Sequence, residues 1–133
     1  MKEQLQQYLQ EHLEEYKYLV NDLYEHPEIG NQEFRSMAVL CKHLRREGFE
    51  VTEEYVVPTG FLAVWSSGKP GPVIAYMCEY DALPEVGHGC GHNLIAGMSI
   101  GAGCALKSIL SEIGGEVRII GTPAEENFGG KVS

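Results

Sequence analysis

The feature that most constrains this chain is an abrupt change of character at residue 79. The run PVIAYMC (72–78) is nearly all apolar, as a strand buried on both faces of a sheet should be. It leads directly into EYDALPEVGHGCGHN (79–93), which concentrates two histidines, one cysteine, three acidic side chains and three glycines. His88, Cys90 and His92 alternate with glycines. Glycine lets a backbone take tight or left-handed turns, so such a tract can wrap closely around a cation.

A second cluster, TPAEE (122–126), follows another apolar run, EVRIIG (116–121). In α/β sheets, ligands collect beyond the carboxyl ends of strands, and both clusters fall there. Thiolate, imidazole and carboxylate together suit zinc or a neighbouring divalent ion such as manganese or cobalt. Cys90 and His92 can reach one ion, or a sulfur-bridged pair, if the turn is sharp. Glu125 and Glu126 are adjacent and point in different directions, so one can ligate a metal while the other handles a proton. The plainer alternatives are a glycine-rich loop with buried polar groups and a solvated acidic turn. Beside a metal-dependent enzyme stand two other functional readings: a non-catalytic metal-binding or interaction module, and a thiol-based redox protein using Cys90. The last lacks a CxxC pair and leaves the glutamates without a task.

The remaining periodicities build a layered α/β sheet. Leu5, Leu9, Leu13, Tyr16, Val20 and Leu23 recur at three- and four-residue steps and predict one amphipathic helix over 3–25. His26 before Pro27 ends it. A second helix is expected over 31–47, capped by Gly30 or Asn31, with Glu33 at its positive end. Phe34, Met37, Ala38, Cys41 and Leu44 form its buried stripe, and Gly48 stops it. Residues 49–57 and 61–65 read as strands joined by a Pro58–Gly60 turn, an antiparallel pair. Asn93 is the expected cap of a third helix reaching about residue 111. Its many small residues predict very close packing, at a cost in helix propensity.

A chain of 133 residues with 44% hydrophobic content supports one domain with a real core. Its net charge of -9 argues against nucleic acid and anionic membranes, and is compatible with cationic substrates. No run of about eighteen consecutive apolar residues suggests a spanning helix. The polar, acidic N-terminal sequence has no signal-peptide core, so a cytoplasmic location is expected. There the four cysteines should be reduced.

Taken together, EYDALPEVGHGCGHN and GTPAEE resemble peptidase family M-20. The similarity is greatest to its amidohydrolase branch of aminoacylases, indole-acetyl-amino-acid hydrolases and Xaa-Arg or aminobenzoyl-glutamate dipeptidases. HPEIG (26–30) with QEF (32–34) resembles the family's N-terminal signature, so the likeness spans nearly the whole chain. It implies a layered α/β/α, zinc-exopeptidase-like fold, truncated here, with residues 1–133 forming the N-terminal portion of the catalytic domain. The family's lid or dimerisation domain and its later histidine ligands are expected to be absent.

Carried over by position, the resemblance makes Cys90, His92 and Glu126 metal ligands in a site for two divalent ions. It makes Glu125 the general base and acid, and gives Asp81 a supporting role. Asn93 stands where many relatives have Asp. Glu79 stands where other branches have a metal-binding histidine, and is not carried over as a ligand. His88 is read as a structural or supporting residue. The implied reaction is hydrolysis of an amide bond in an N-acyl amino acid or dipeptide, with little or none expected from this portion alone. A truncated sheet exposes apolar edges, which favours self-association.

Overall fold

The computed structural model describes residues 2–30, 32–82, 87–88 and 91–123. The elements are α1 (Lys2–Glu11), α2 (Leu13–Glu25), α3 (Phe34–Arg46), β1 (Glu50–Glu53), β2 (Phe61–Ser66), β3 (Val73–Glu79), α4 (His92–Ile113) and β4 (Glu116–Thr122). The four strands form one mixed sheet in the order β1-β2-β4-β3. β1 and β2 pair antiparallel as the turn signals predict, and β2 is also antiparallel to β4. β3 and β4 run parallel, so α4 is a crossover that returns the chain to the same end of the sheet.

The strand register places Phe61, Ala63, Val117, Ile119 and Cys78 on one face, and all five are fully buried. α3 covers this face over β1 and β2, and α4 covers it over β3 and β4. α4 fits between α2 and the sheet because its contact residues are small. A Cβ on Gly103 would lie 2.6 Å from the Ile119 side chain, and one on Gly97 would lie 2.5 Å from that of Val20. By length and composition α4 is apolar enough to cross a bilayer. Its apolarity is explained here by burial between two layers, as in a core helix.

Several local expectations are corrected. The single helix over 3–25 is two, broken at His12, whose ring stacks on Tyr8. No residue of α1 is buried. Leu9 and Leu13 instead line an open apolar groove with Leu94 and Met98. In α3 the buried stripe is Ser36, Met37, Leu40, Cys41, His43 and Leu44, while Phe34 and Ala38 face outward. β1 stops at Glu53 because the chain turns through positive φ at Glu54 and Val56. β3 is not buried on both faces: it is an edge strand, with Val73 and Met77 exposed. Its apolar outer face, with Leu62, Val64 and Ile120 of neighbouring strands only half-buried, is the side where an α/β/α sandwich carries its second helical layer. No helix covers that side among the described residues.

Candidate metal site at the β3–α4 edge

The HPEIG turn and the site loop are stitched together. Ala82 forms a parallel bridge with Ile29, and its N–H donates to the Glu28 carbonyl. Glu28 also supplies what α3 lacks. The residue before the helix, Glu33, makes no capping bond. The Glu28 carboxylate instead accepts from the backbone N–H groups of Arg35 and Ser36 and from the Ser36 hydroxyl, at 3.1, 2.6 and 2.7 Å. Those N–H groups would otherwise be orphaned at the helix start. Glu33 is itself buried and accepts from the Thr59 hydroxyl, while the Tyr80 hydroxyl donates to the Thr59 carbonyl. The two signature glutamates therefore hold the loop ends in place. Charged side chains in a turn give no sequence sign of this, and the cap expected at Gly30 or Asn31 conceals it; Asn31 lies outside the described residues.

Glycine geometry shapes the loop as its composition predicts. Gly87 and Gly91 both adopt positive φ, 76° and 85°. Gly91, not Asn93, is the N-cap of α4, and its carbonyl accepts from Leu94 and Ile95. Asn93 lies inside the first turn, where its amide donates to the Val20 carbonyl of α2. That bond fixes the start of α4 against its neighbour.

His92 opens α4 and is the best-defined predicted ligand. Its ring is buried, with Nδ1 3.0 Å from the Asp81 carbonyl and 2.8 Å from the Asp81 carboxylate. A carbonyl only accepts, so Nδ1 carries a proton and donates it there, and Nε2 points away from Asp81. On that side stands Glu79, with Oε2 at 3.1 Å. Asp81 is fully buried and lies behind the His92 ring, where its carbonyl and carboxylate hold the imidazole in one orientation. His88 is also buried, and neither ring nitrogen makes a hydrogen bond of ordinary geometry. Burial, then the nearby His92, lowers its pKa.

Cys90, Glu125 and Glu126 lie outside the described residues. Among those described, no three His, Cys, Asp or Glu side chains are arranged to hold an ion. The pair formed by His92 and Glu79 nevertheless has the donor chemistry of a divalent-metal site: imidazole nitrogen facing carboxylate oxygen, with the ring anchored at its far nitrogen. Glu79 pairs across the sheet with Thr122, the residue from which the Glu125–Glu126 segment continues. The apolar groove between α1–α2 and α4, about 630 Å³, is lined by neither His92 nor Glu79.

Fold and site together define an α/β sheet with a buried His–carboxylate pair beyond its parallel strands. No family model matches the chain. It is 37% identical over 119 residues to the mouse (Mus musculus) Xaa-Arg dipeptidase, covering 80% of this chain and 28% of that protein. It is 37% identical over 136 residues to a polypeptide of the Escherichia coli p-aminobenzoyl-glutamate hydrolase, covering 87% and 28%. Its fold matches a Bacillus subtilis structure described as a dinuclear metal-binding peptidase of the M20 family. The TM-score is 0.74 at 31% identity, over 84% of this chain and 35% of that one. These matches bear out the resemblance to the M20 peptidases and their amidohydrolase relatives that the motifs carry. The chain spans less than a third of the length of the curated relatives it matches.

Proposed function

We propose that this chain is the N-terminal part of the catalytic domain of a metal-dependent amidohydrolase, cleaving an amide bond of N-acyl amino acids or dipeptides. The observation that carries this reading is the buried His92, held at Nδ1 by Asp81 and facing Glu79 at Nε2, beyond the ends of the parallel strands. The names of the relatives, a dipeptidase and an aminobenzoyl-glutamate hydrolase, support a small amide substrate.

Cys90, His92 and Glu126 are the residues assigned to hold metal. Two divalent ions, zinc, manganese or cobalt, supply Lewis-acid polarisation of the scissile carbonyl and acidify the attacking water when bound. Asp81 fixes the tautomer and direction of His92. Glu125 accepts a proton from the attacking water and delivers it to the leaving amine. The buried, separate thiols of Cys41, Cys78 and Cys104 suit a reducing, cytoplasmic setting, and the bare apolar sheet face favours self-association when this chain stands alone.

The direct test replaces the matching region of the E. coli hydrolase polypeptide with this chain. The chimera should hydrolyse dipeptides or N-acyl amino acids in the presence of zinc, manganese or cobalt, and Glu125→Gln should abolish turnover. A folded, metal-loaded chimera without activity would sink the reading. Assayed alone with the same substrates and metals, the chain should show little turnover; clear turnover lost in Glu125→Gln would overturn its incompleteness.

A further inference from the structure

We propose that Glu79 is a metal ligand, sharing one ion with His92. This rests on the metal reading of the site above and reverses the expectation that Glu79 stands apart from the donor set. The argument begins with what the Asp81 contact leaves available. With Nδ1 committed to Asp81, the nitrogen facing Glu79 is the only one that can coordinate. A carboxylate oxygen and an imidazole nitrogen 3.1 Å apart bring two donor types of a divalent-metal site to one point.

The separation also matches shared coordination. Zinc bonds to nitrogen and carboxylate oxygen are about 2.0–2.2 Å, so neighbouring ligands meeting at roughly 90–110° lie about 3.0–3.4 Å apart. The pair is set at that spacing by two elements fixed independently. Glu79 closes β3, whose pairing with β4 reaches Thr122; His92 begins α4, whose first turn is tied to Val20 through Asn93. An ordinary surface ion pair has no such support. Lys17 and Glu14, by contrast, meet at 3.6 Å with both side chains mostly exposed. Glu79 and His92 are 14% and 4% exposed, so water screens their encounter little. The donor set of the site then draws on both ends of the loop, with a carboxylate from the strand before it and an imidazole from the helix after it.

Zinc affinity of the purified chain, measured by competition with a chromophoric chelator, tests the assignment. Glu79→Gln keeps the size and removes the charge, and should weaken zinc binding by more than about 100-fold, beyond the 10–100-fold typical of losing a supporting residue. Far-UV circular dichroism should show the wild-type helix content. Unchanged affinity in Glu79→Gln, with zinc still bound by the wild-type chain, would overturn the role of Glu79 and leave the metal reading standing. A wild-type chain that takes up no zinc would overturn both. Should Glu79→Gln not fold, carbodiimide labelling of wild-type carboxylates with and without zinc gives the same decision. Zinc should protect Glu79, and equal labelling would count against it.

Discussion

Two histidines buried to a similar degree have very different surroundings, and the difference separates the proposed ligand from a core side chain. His92 and His43 are 4% and 7% exposed. His92 has a carboxylate at each nitrogen, Asp81 at 2.8 Å and Glu79 at 3.1 Å. His43, on the inner face of α3, packs edge-on against Tyr16 with ring centroids 5.9 Å apart. Its Nε2 is buried without a hydrogen bond, and Glu47 is 4.0 Å away. Burial lowers the His43 pKa, with Glu47 and Glu15 opposing and Arg46 and His12 adding to the shift. Burial alone makes a neutral space-filling ring. Acceptors at both nitrogens hold the His92 ring in one orientation, which is what the proposed metal ligand requires.

The largest expected effect separates the two residues outright. His92→Ala should remove zinc binding, a loss of more than about 100-fold by calorimetric titration, since it deletes a coordinating atom rather than a supporting one. His43→Leu should leave zinc affinity at the wild-type value. Equal losses in both variants would break the distinction and point to general unfolding.

Asp81→Ala probes the orientation of His92 from behind. It should lower zinc affinity by about 10–100-fold, the range seen when an outer partner of a metal-binding histidine is lost. It also removes the buried carboxylate beside Nδ1 and leaves the backbone carbonyl of residue 81 on that side, so a lower melting temperature should accompany it. Retention of full affinity would mean that the carbonyl contact at 3.0 Å is sufficient to hold the ring.

The third effect concerns protons. His43 has a folded-state pKa below its ordinary value of 6.5, so below about pH 6.5 the unfolded chain binds a proton that the folded chain resists. Its contribution therefore falls as pH drops from that point until the lower folded-state pKa is passed. The slope is at most about 1.4 kcal/mol per pH unit for one group. Urea denaturation at pH 7.5 and 5.5 should show a larger acid loss in wild type than in His43→Leu. An identical loss would remove His43 as a source of acid sensitivity.

How much of this is legible in the sequence follows the same division. The antiparallel β1–β2 pair, the α4 crossover and the layered class follow from apolar periodicity and turn residues, because those patterns report burial directly. The bare face of β3 cannot be foreseen, since an all-apolar strand looks the same whether its outer neighbour is present or not. In the site, ligand chemistry singles out His92 and the resemblance singles out Asp81, and the structure brings the two into contact. Glu79 escapes a reading by spacing because its partner is thirteen residues away across a turn, at a distance set by the β3–α4 geometry. Glu28 and Glu33 escape it for a related reason: their partners are backbone N–H groups and a distant threonine, neither of which leaves a pattern of residue types.

The smallest effect sharpens the comparison from the His43 side. Glu47 is the largest influence raising the His43 pKa against burial. Its carboxylate is 22% exposed, so water weakens the attraction across 4.0 Å. Glu47→Gln should lower the His43 pKa further, because it removes the carboxylate charge that opposes burial. The backbone carbonyl of Glu47, which accepts from Lys107, is untouched by the change, so this tie between the end of α3 and α4 should persist. A two-dimensional NMR titration that follows the His43 ring protons reads the shift directly. If the pKa instead stays fixed, desolvation alone governs His43 and the contrast with the doubly flanked His92 becomes sharper. If it rises, the carboxylate is not the group opposing burial, and the electrostatic half of the contrast fails.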